Sequence, residues 1–285
     1  MTVTWAQILR ESAARLAHVS ETPRLDAELL LARALTISRA SLLARLRDPA
    51  GDTTHLDTLL ERRLACEPLS YIFGEWEFYG LPFFVEAPLL SPRPETEELV
   101  VRALDFLEDR PEACQIIDVG CGTGCIAVSV AVHAPAHKVH AVDIRGDALT
   151  VTRRNAQRHH CNVTVTQSDL LTAFSDKEPL FDLIISNPPY VAEKEWSTLS
   201  PVITRHEDPG ALLAGVEGLD IYKRLIPQAA ALLRQGGCLL LESGEDQHDA
   251  LRRLLVKAGF SQVESYQDLA GLDRIMSARK GMKIH

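Results

Sequence analysis

From Ile116 onward the chain alternates short apolar runs with helical periodicities, and that alternation does most to restrict the folds open to it. Ile116–Val119, Lys138–Val142, Val163–Thr166, Leu183–Ser186 and Gly237–Glu242 read as strands. Cys125–His133, Asp147–Gln157, Leu219–Leu233 and Gln247–Ala258 carry helical spacing between and after them. Weaker strands fall near Gln262–Tyr266 and Arg274–Ser277, and Gly236-Gly237 reads as a turn leading into the fifth strand. Strands separated by helices return by crossovers, which predicts an α/β fold with a parallel, doubly wound sheet covered on both faces.

Ahead of this region the texture differs. Residues 2–70 read as helices alone: Trp5–Ala17, Asp26–Leu35, Ser41–Leu46 and Leu56–Leu64, with breaks at Thr22-Pro23, Asp48-Pro49-Ala50-Gly51 and Glu67-Pro68. This predicts a small N-terminal helical bundle. Tyr71–Pro94 is rich in aromatics, Gly and Pro, and its near-alternation around Gly80 predicts a β-hairpin linker. The expected division is therefore 1–72 helical, 73–92 hairpin and 93–285 α/β.

Composition narrows the function classes. The net charge is −9 and the pI about 5.6, so no global basic field draws the protein to nucleic acid. Residues 1–74 hold nine Arg, no Lys and nine acidic residues, which leaves 21 basic and 30 acidic residues for the remainder. The six cysteines lack CxxC spacing, which points to reduced thiols in a cytoplasmic protein and to no metal site. No apolar leader or run of 18 apolar residues argues for secretion or a membrane span.

Two loops carry chemistry. Gly120, Cys121, Gly122, Thr123 and Gly124 follow the first strand of the α/β region and open a helix. Glycines at alternate positions permit positive φ and close backbone approach to a ligand, and a helix N-terminus offers free N–H groups. The dinucleotide fingerprint GxGxxG needs glycine at 125, where Cys125 stands. Asp143 closes the next strand, 19 residues past Gly124, where an acid usually accepts ribose hydroxyls. Together these features point to an adenosine-type cofactor, and GxGxG favours S-adenosylmethionine over NAD.

The second loop is Asn187-Pro188-Pro189-Tyr190, directly after the apolar run Phe181–Ser186. Two prolines cannot continue a central strand, and the first pushes Asn187 into an extended conformation. The loop is stiff and sits at a strand's C-terminal edge, where open α/β sheets bind ligands. An Asn amide, acceptor-only prolyl carbonyls and an aromatic face suit a planar –NH2 group.

Other residues fit bland roles better. His159-His160-Cys161 reads as a solvated helix end, because consecutive helical residues point apart. Cys121 and Cys125 read as small packing residues. Glu95, Glu97 and Glu98 follow Pro94 at a helix start, where carboxylates favour the dipole. Arg93 could line a substrate entrance or pin the linker.

GxGxG, Asp143, Ser168-Asp169 and Asn-Pro-Pro-Tyr, in that order, resemble the class I S-adenosylmethionine-dependent methyltransferases that act on planar amino groups. That superfamily includes N6-adenine and N4-cytosine methyltransferases of nucleic acids. Arg62-Arg63, Pro68–Gly74, Phe78–Phe83, Leu90–Glu97, Glu207-Asp208-Pro209, Ala211-Leu212, Gly218–Tyr222 and Asp273-Arg274 narrow the likeness to the protein-(glutamine-N5) methyltransferases of the HemK/PrmC family. The resemblance spans nearly the whole chain. It implies a class I methyltransferase Rossmann-like domain behind a substrate-docking helical domain. It also implies methylation of the glutamine in the Gly-Gly-Gln motif of class I peptide chain release factors, in translation termination. Gly120–Gly124 would hold the methionine part of the cofactor, Asp143 the ribose, and Asp169 and Leu170 the adenine edge. Asn187, Pro188, Pro189 and Tyr190 would hold the substrate amide, with Asn187 also against the cofactor. A cytoplasmic monomer that binds neither membrane nor nucleic acid directly is expected. Ser91, Leu170 and the Ser243 of Glu242-Ser243-Gly244 depart from the family pattern. The competing readings are a nucleic-acid amino-methyltransferase and a non-catalytic methyltransferase-like scaffold.

Overall fold

A computed structural model describes residues 3–108, 110, 112–268 and 270–281; the C-terminal end of the expected 93–285 segment lies outside them. The chain forms two compact units: one comprises the residues up to Gly74 with Leu199–Glu207, the other Glu75–Thr198 and the chain from Asp208.

The first unit is helical, as its sequence periodicity predicts. Its elements are α1 (Trp5–Leu16), α2 (Pro23–Ala34), α3 (Arg39–Ala44), α4 (Thr54–Leu64) and α5 (Leu69–Phe73). Two of the starts have a clear sequence cause: Pro23 occupies the first turn of α2, and Ser38 Oγ accepts from Ser41 N at the head of α3 (3.1 Å). Leu9, Leu16, Leu30, Leu42, Leu56 and Leu60 form its core. Arg63 Nε donates to Asp26 Oδ2 at 2.7 Å, and both side chains are almost wholly buried. Pro201–His206, the ninth helix in chain order (α9), joins this unit through His206 Nε2 and the Ala65 carbonyl (3.1 Å). That excursion out of the α/β half had no signature in the periodicity.

The second unit opens with the hairpin β1 (Glu75–Phe78) and β2 (Leu81–Phe84), paired antiparallel. Its two-residue turn, Tyr79-Gly80, has φ of 52° and 71°, the double positive φ of a type I′ turn. Phe78 and Phe83 bury in the core of this unit. The 3₁₀ turn Pro94–Thr96 leads into α6 (Glu97–Glu108). There follow β3 (Gln115–Val119), α7 (Cys125–His133), β4 (Lys138–Asp143), α8 (Gly146–Arg158), β5 (Val163–Gln167) and β6 (Phe181–Ser186). After the α9 excursion come α10 (Asp220–Leu232), β7 (Leu233–Glu242), α11 (His248–Lys257), β8 (Phe260–Gln267) and β9 (Asp273–Lys280).

The seven strands lie in the order β5-β4-β3-β6-β7-β9-β8. β3 to β7 are mutually parallel, but β9 runs antiparallel to both β7 and β8. The all-parallel expectation fails at this edge because the link from β8 to β9 is too short for a crossover and can only close a hairpin. β7 also starts earlier than expected: Gly236, at φ 74°, lies inside the strand, where the pairing with β6 jumps from Phe181↔Leu233 to Leu183↔Cys238. There β6 advances two residues while β7 advances five, so the predicted Gly236-Gly237 turn lies within the span of β7. Alternation along each strand feeds two cores: Ile116, Val139, Leu183 and Leu240 on one face, Ile117, Val142, Ile184 and Leu239 on the other. The strand order reverses between β3 and β6, so the loops leaving those strands flank the crevice at the switch point.

Candidate active site

Both sequence-derived loops end at that crevice. A cavity of about 310 Å³ there is lined by Gly120, Cys121, Gly122, Thr123, Asp143, Asp169, Leu170, Asn187, Pro189 and Arg93, within the roughly 300–1,000 Å³ of small-molecule sites. Gly124, Pro188 and Tyr190 do not line it. Thr96, Ser168, Arg145, Asp208 and Arg224 complete much of its polar wall.

The glycines are required where they stand. Gly120, Gly122 and Gly124 have φ of 76°, 53° and 79°, and no atom lies within 4 Å of where a Cβ on Gly120 or Gly122 would sit. Those two positions therefore leave a bare backbone facing free space. At Gly124 a Cβ would meet Thr152 Cγ2 at 2.8 Å, so this glycine serves close packing of α8. Thr152 Oγ1 donates to the Gly122 carbonyl (3.1 Å), and Asn155 Nδ2 to that of Thr123 (2.8 Å). Neither α8 residue was legible as a loop support, since each lies about thirty positions downstream.

Asp143 ends β4 with one oxygen accepting from Gly122 N and the other from Arg145 N, each at 2.9 Å. Each carboxylate oxygen accepts more than one bond, so capacity remains for two further donors. Burial raises its pKa, against the pull of those two backbone bonds. The bare glycine backbone, the spare acceptors of Asp143 and the cavity size together fit a nucleoside-bearing cofactor with a polar tail.

Asp118 is wholly buried at the end of β3; its Oδ2 accepts from Ala127 N (3.1 Å), its Oδ1 has no partner, and burial pushes it up to about 7. Cys121 and Cys125 are buried thiols, Cys125 pushed up to about 12, which suits packing and not nucleophilic attack. Asp169 is half-exposed and pairs with Arg224 (2.5 Å). Leu170 holds φ of 52°, an uncommon conformation for a bulky residue that aims its side chain from a strained corner. Among the described residues no group of three or more His, Cys, Asp or Glu could hold a metal ion. His159 Nε2 instead meets the Pro82 carbonyl at 2.8 Å.

On the other wall, Asn187 Nδ2 donates to Thr96 Oγ1 at 3.1 Å. Pro188 is buried beneath the loop, and Tyr190 packs its ring against the Tyr222–Leu225 core. The Tyr190 carbonyl is pinned by Gln247 Nε2 (2.9 Å), and Gly218 lies so close that a Cβ would stand 2.2 Å from the same oxygen. Glu242, the last residue of β7, is buried, its Oε2 has no partner, and burial pushes it up to about 7. Thr96 did not stand out in the sequence as a site residue.

The strand order, the glycine loop after β3, the acid ending β4 and the prolyl corner after β6 together define a class I methyltransferase. Residues 98–205 match the methyltransferase small domain and residues 7–74 the PrmC N-terminal domain. The chain is 36% identical over 263 residues to a release factor glutamine methyltransferase of Geobacter sulfurreducens, covering 92% of this chain and 91% of that one. Its identity to the release factor glutamine methyltransferase of Escherichia coli is 38% over 274 residues, covering 95% and 97%. The fold is also that of a methyltransferase from Pyrococcus furiosus, at TM-score 0.52 and 19% identity, covering 72% of this chain and 91% of that one. This chain belongs to the release factor glutamine methyltransferase family, whose members depend on S-adenosylmethionine.

Proposed function

We propose that the chain transfers a methyl group from S-adenosylmethionine to the side-chain amide nitrogen of the glutamine in the Gly-Gly-Gln motif of class I peptide chain release factors. The observation that carries this reading is Asn187 on the cavity wall, its amide nitrogen engaged by Thr96, at the head of a corner stiffened by two prolines. Full-length relatives bearing that activity in their names support it.

An amide nitrogen is a poor nucleophile because its lone pair is delocalised into the carbonyl. S-adenosylmethionine supplies an activated methyl carbon; the chain's task is to orient the nitrogen lone pair towards it. Asn187 Oδ1, on the cavity wall, accepts one N–H bond of the substrate amide, and the second falls to the Pro188 carbonyl only if the loop shifts to bring it to the cavity, since Pro188 does not line it. A productive alignment would need the reacting atoms about 3–3.5 Å apart. No strong general base is needed, because the methylated nitrogen sheds its proton readily. On the cofactor side, the bare backbone of Gly120–Gly124 borders the methionine part, Asp143 accepts from the ribose hydroxyls, and Asp169 and Leu170 border the adenine. Arg93, on the cavity rim, lines the substrate entrance.

The helical region 1–72 docks the release factor, 73–92 links, and 93–285 catalyses, with the protein acting as a cytoplasmic monomer. Among the described residues no helix is long and apolar enough to cross a membrane. Transfer of labelled methyl from S-adenosylmethionine to purified release factor, run beside duplex DNA, tests the reading. Label in the protein alone is expected, and label in the DNA alone would refute it.

A further inference from the structure

We propose that Arg224 and Gln228, one turn apart on α10, are positioning residues that set the Asp169 carboxylate as the acceptor for the 6-amino group of the cofactor's adenine. The inference deepens the cofactor reading given above and rests on it.

Asp169 and Leu170 follow β5 and line the cavity together with Ile221 and Arg224 of α10. Their backbone is a fixed corner. Ser168 N donates to the Asp143 carbonyl (3.0 Å), which ties the corner to the end of β4. The Asp169 carbonyl accepts from Thr172 N (3.2 Å) and from Thr172 Oγ1 (2.9 Å), and Leu170 takes its φ of 52° inside that turn. Leu171 is 1% exposed, so its N–H needs a partner within the protein, and Gln228 Oε1 accepts it at 2.8 Å. What the backbone leaves free is the Asp169 side chain, and Arg224 Nη2 holds its Oδ2 at 2.5 Å. Residues i and i+4 share one face of a helix. A single face of α10 thus grips both the main chain and the carboxylate of the corner.

The placement of the ion pair argues for a role towards the ligand. Its side chains are 48% and 44% exposed, and a pair so wetted contributes little to stability. An ionised carboxylate only accepts hydrogen bonds, up to two on each oxygen. With Oδ2 held by Arg224, Oδ1 keeps its lone pairs for a donor in the cavity. Adenine offers such a donor in its 6-amino group, and a purine with hydrogen at that position offers none. Arg145, another cation on this wall, is committed to Asp147 and Asp208 and does not compete for Asp169. Without Arg224 the carboxylate turns about its side-chain torsions and presents an acceptor to the amino group for only part of the time.

Wild type and variants, as the full chain without release factor, are titrated by calorimetry with two ligands: S-adenosylhomocysteine and its analogue with hydrogen in place of the 6-amino group. Wild type is expected to bind the amino compound about 10-fold more tightly, the lower reach of a hydrogen bond to a charged group. In Arg224→Met that ratio should fall about 3- to 5-fold, the upper reach of an exposed pair. Raising the salt concentration should lower the wild-type ratio and leave that of Arg224→Met where it is. Gln228→Ala, which frees Leu171 N, should lower the ratio as well, so a single variant that does not fold leaves the other to decide. A ratio unchanged in the variants overturns the proposal even if both affinities fall, because mere support of the fold would not tell the two purines apart. Wild type that binds both ligands equally overturns it too. Wild type that binds neither refutes the cofactor reading itself, a failure distinct from that of the variants.

Discussion

Asn187 and Asp143 stand on opposite walls of one cavity, and their removal should separate chemistry from cofactor binding. Asn187→Ala takes away a preorganised acceptor used at the reacting nitrogen, so kcat is expected to fall by about 2.7–4 kcal/mol in barrier terms. Cofactor affinity should change little, which a titration beside steady-state kinetics checks. Asp143→Ala removes the proposed ribose acceptor and also strands the Gly122 and Arg145 N–H groups. It should weaken S-adenosylmethionine binding by about 1.5–3 kcal/mol, read from the dissociation constant. The place of these two residues on the cavity was legible in the sequence because each sits in a contiguous signature: an acid closing a strand, an amide before two prolines. Thr96 and Thr152 were not. Their roles arise from contacts between segments far apart in the chain, and a single Thr carries no local pattern.

At the scale of elements, α8 holds the site together more than its sequence reveals. Asn155, fully buried, donates to the Phe84 carbonyl (3.0 Å) and the Thr123 carbonyl (2.8 Å), and accepts from Phe84 N (2.7 Å). One side chain thus ties the hairpin β1–β2 and the glycine loop to the same helix. Asn155→Ala leaves those backbone groups buried and unpaired and should cost about 1–3 kcal/mol, seen as a lower urea midpoint, with weaker cofactor binding. Helix α7 was predictable to its ends, since the glycine loop starts it and an apolar run defines it. The reversal of β9 was not, because apolar periodicity gives the face of a strand and says nothing of its direction. The α9 excursion into the helical unit is likewise a tertiary decision, made by Ala65 and Cys66 meeting His206 and Arg205.

For the molecule as a whole, charge burial sets the pH response. Asp118 is raised to about 7 in the fold by burial, above its ordinary carboxylate value of 3.8. A raised carboxyl favours the fold while protonated, so that contribution is present below about pH 4 and is lost as pH climbs through about 7. Asp147 and Asp268 run the other way. Asp147 is lowered chiefly by its hydrogen bond with Arg145 and Asp268 by the Leu272 N–H, so their support is lost in acid. Asp118→Asn, which keeps an acceptor for Ala127 N, should therefore gain stability over wild type as pH rises from about 5 to about 8, by on the order of 2 kcal/mol. Urea titrations at a series of pH values check it, and a pH-independent difference would count against the buried, raised carboxyl.

The overall arrangement was readable early because the α/β alternation and the two loops fix a crevice whatever the sheet edge does. The chemistry in that crevice has one direct measurement. Release factor incubated with S-adenosylmethionine and the wild-type chain, or with Asn187→Ala, is digested, and the Gly-Gly-Gln peptide is weighed and fragmented by mass spectrometry. One added methyl group on the glutamine side-chain nitrogen with wild type, and almost none with the variant, is the predicted result. A methyl group on another residue, or equal methylation by the variant, contradicts the account.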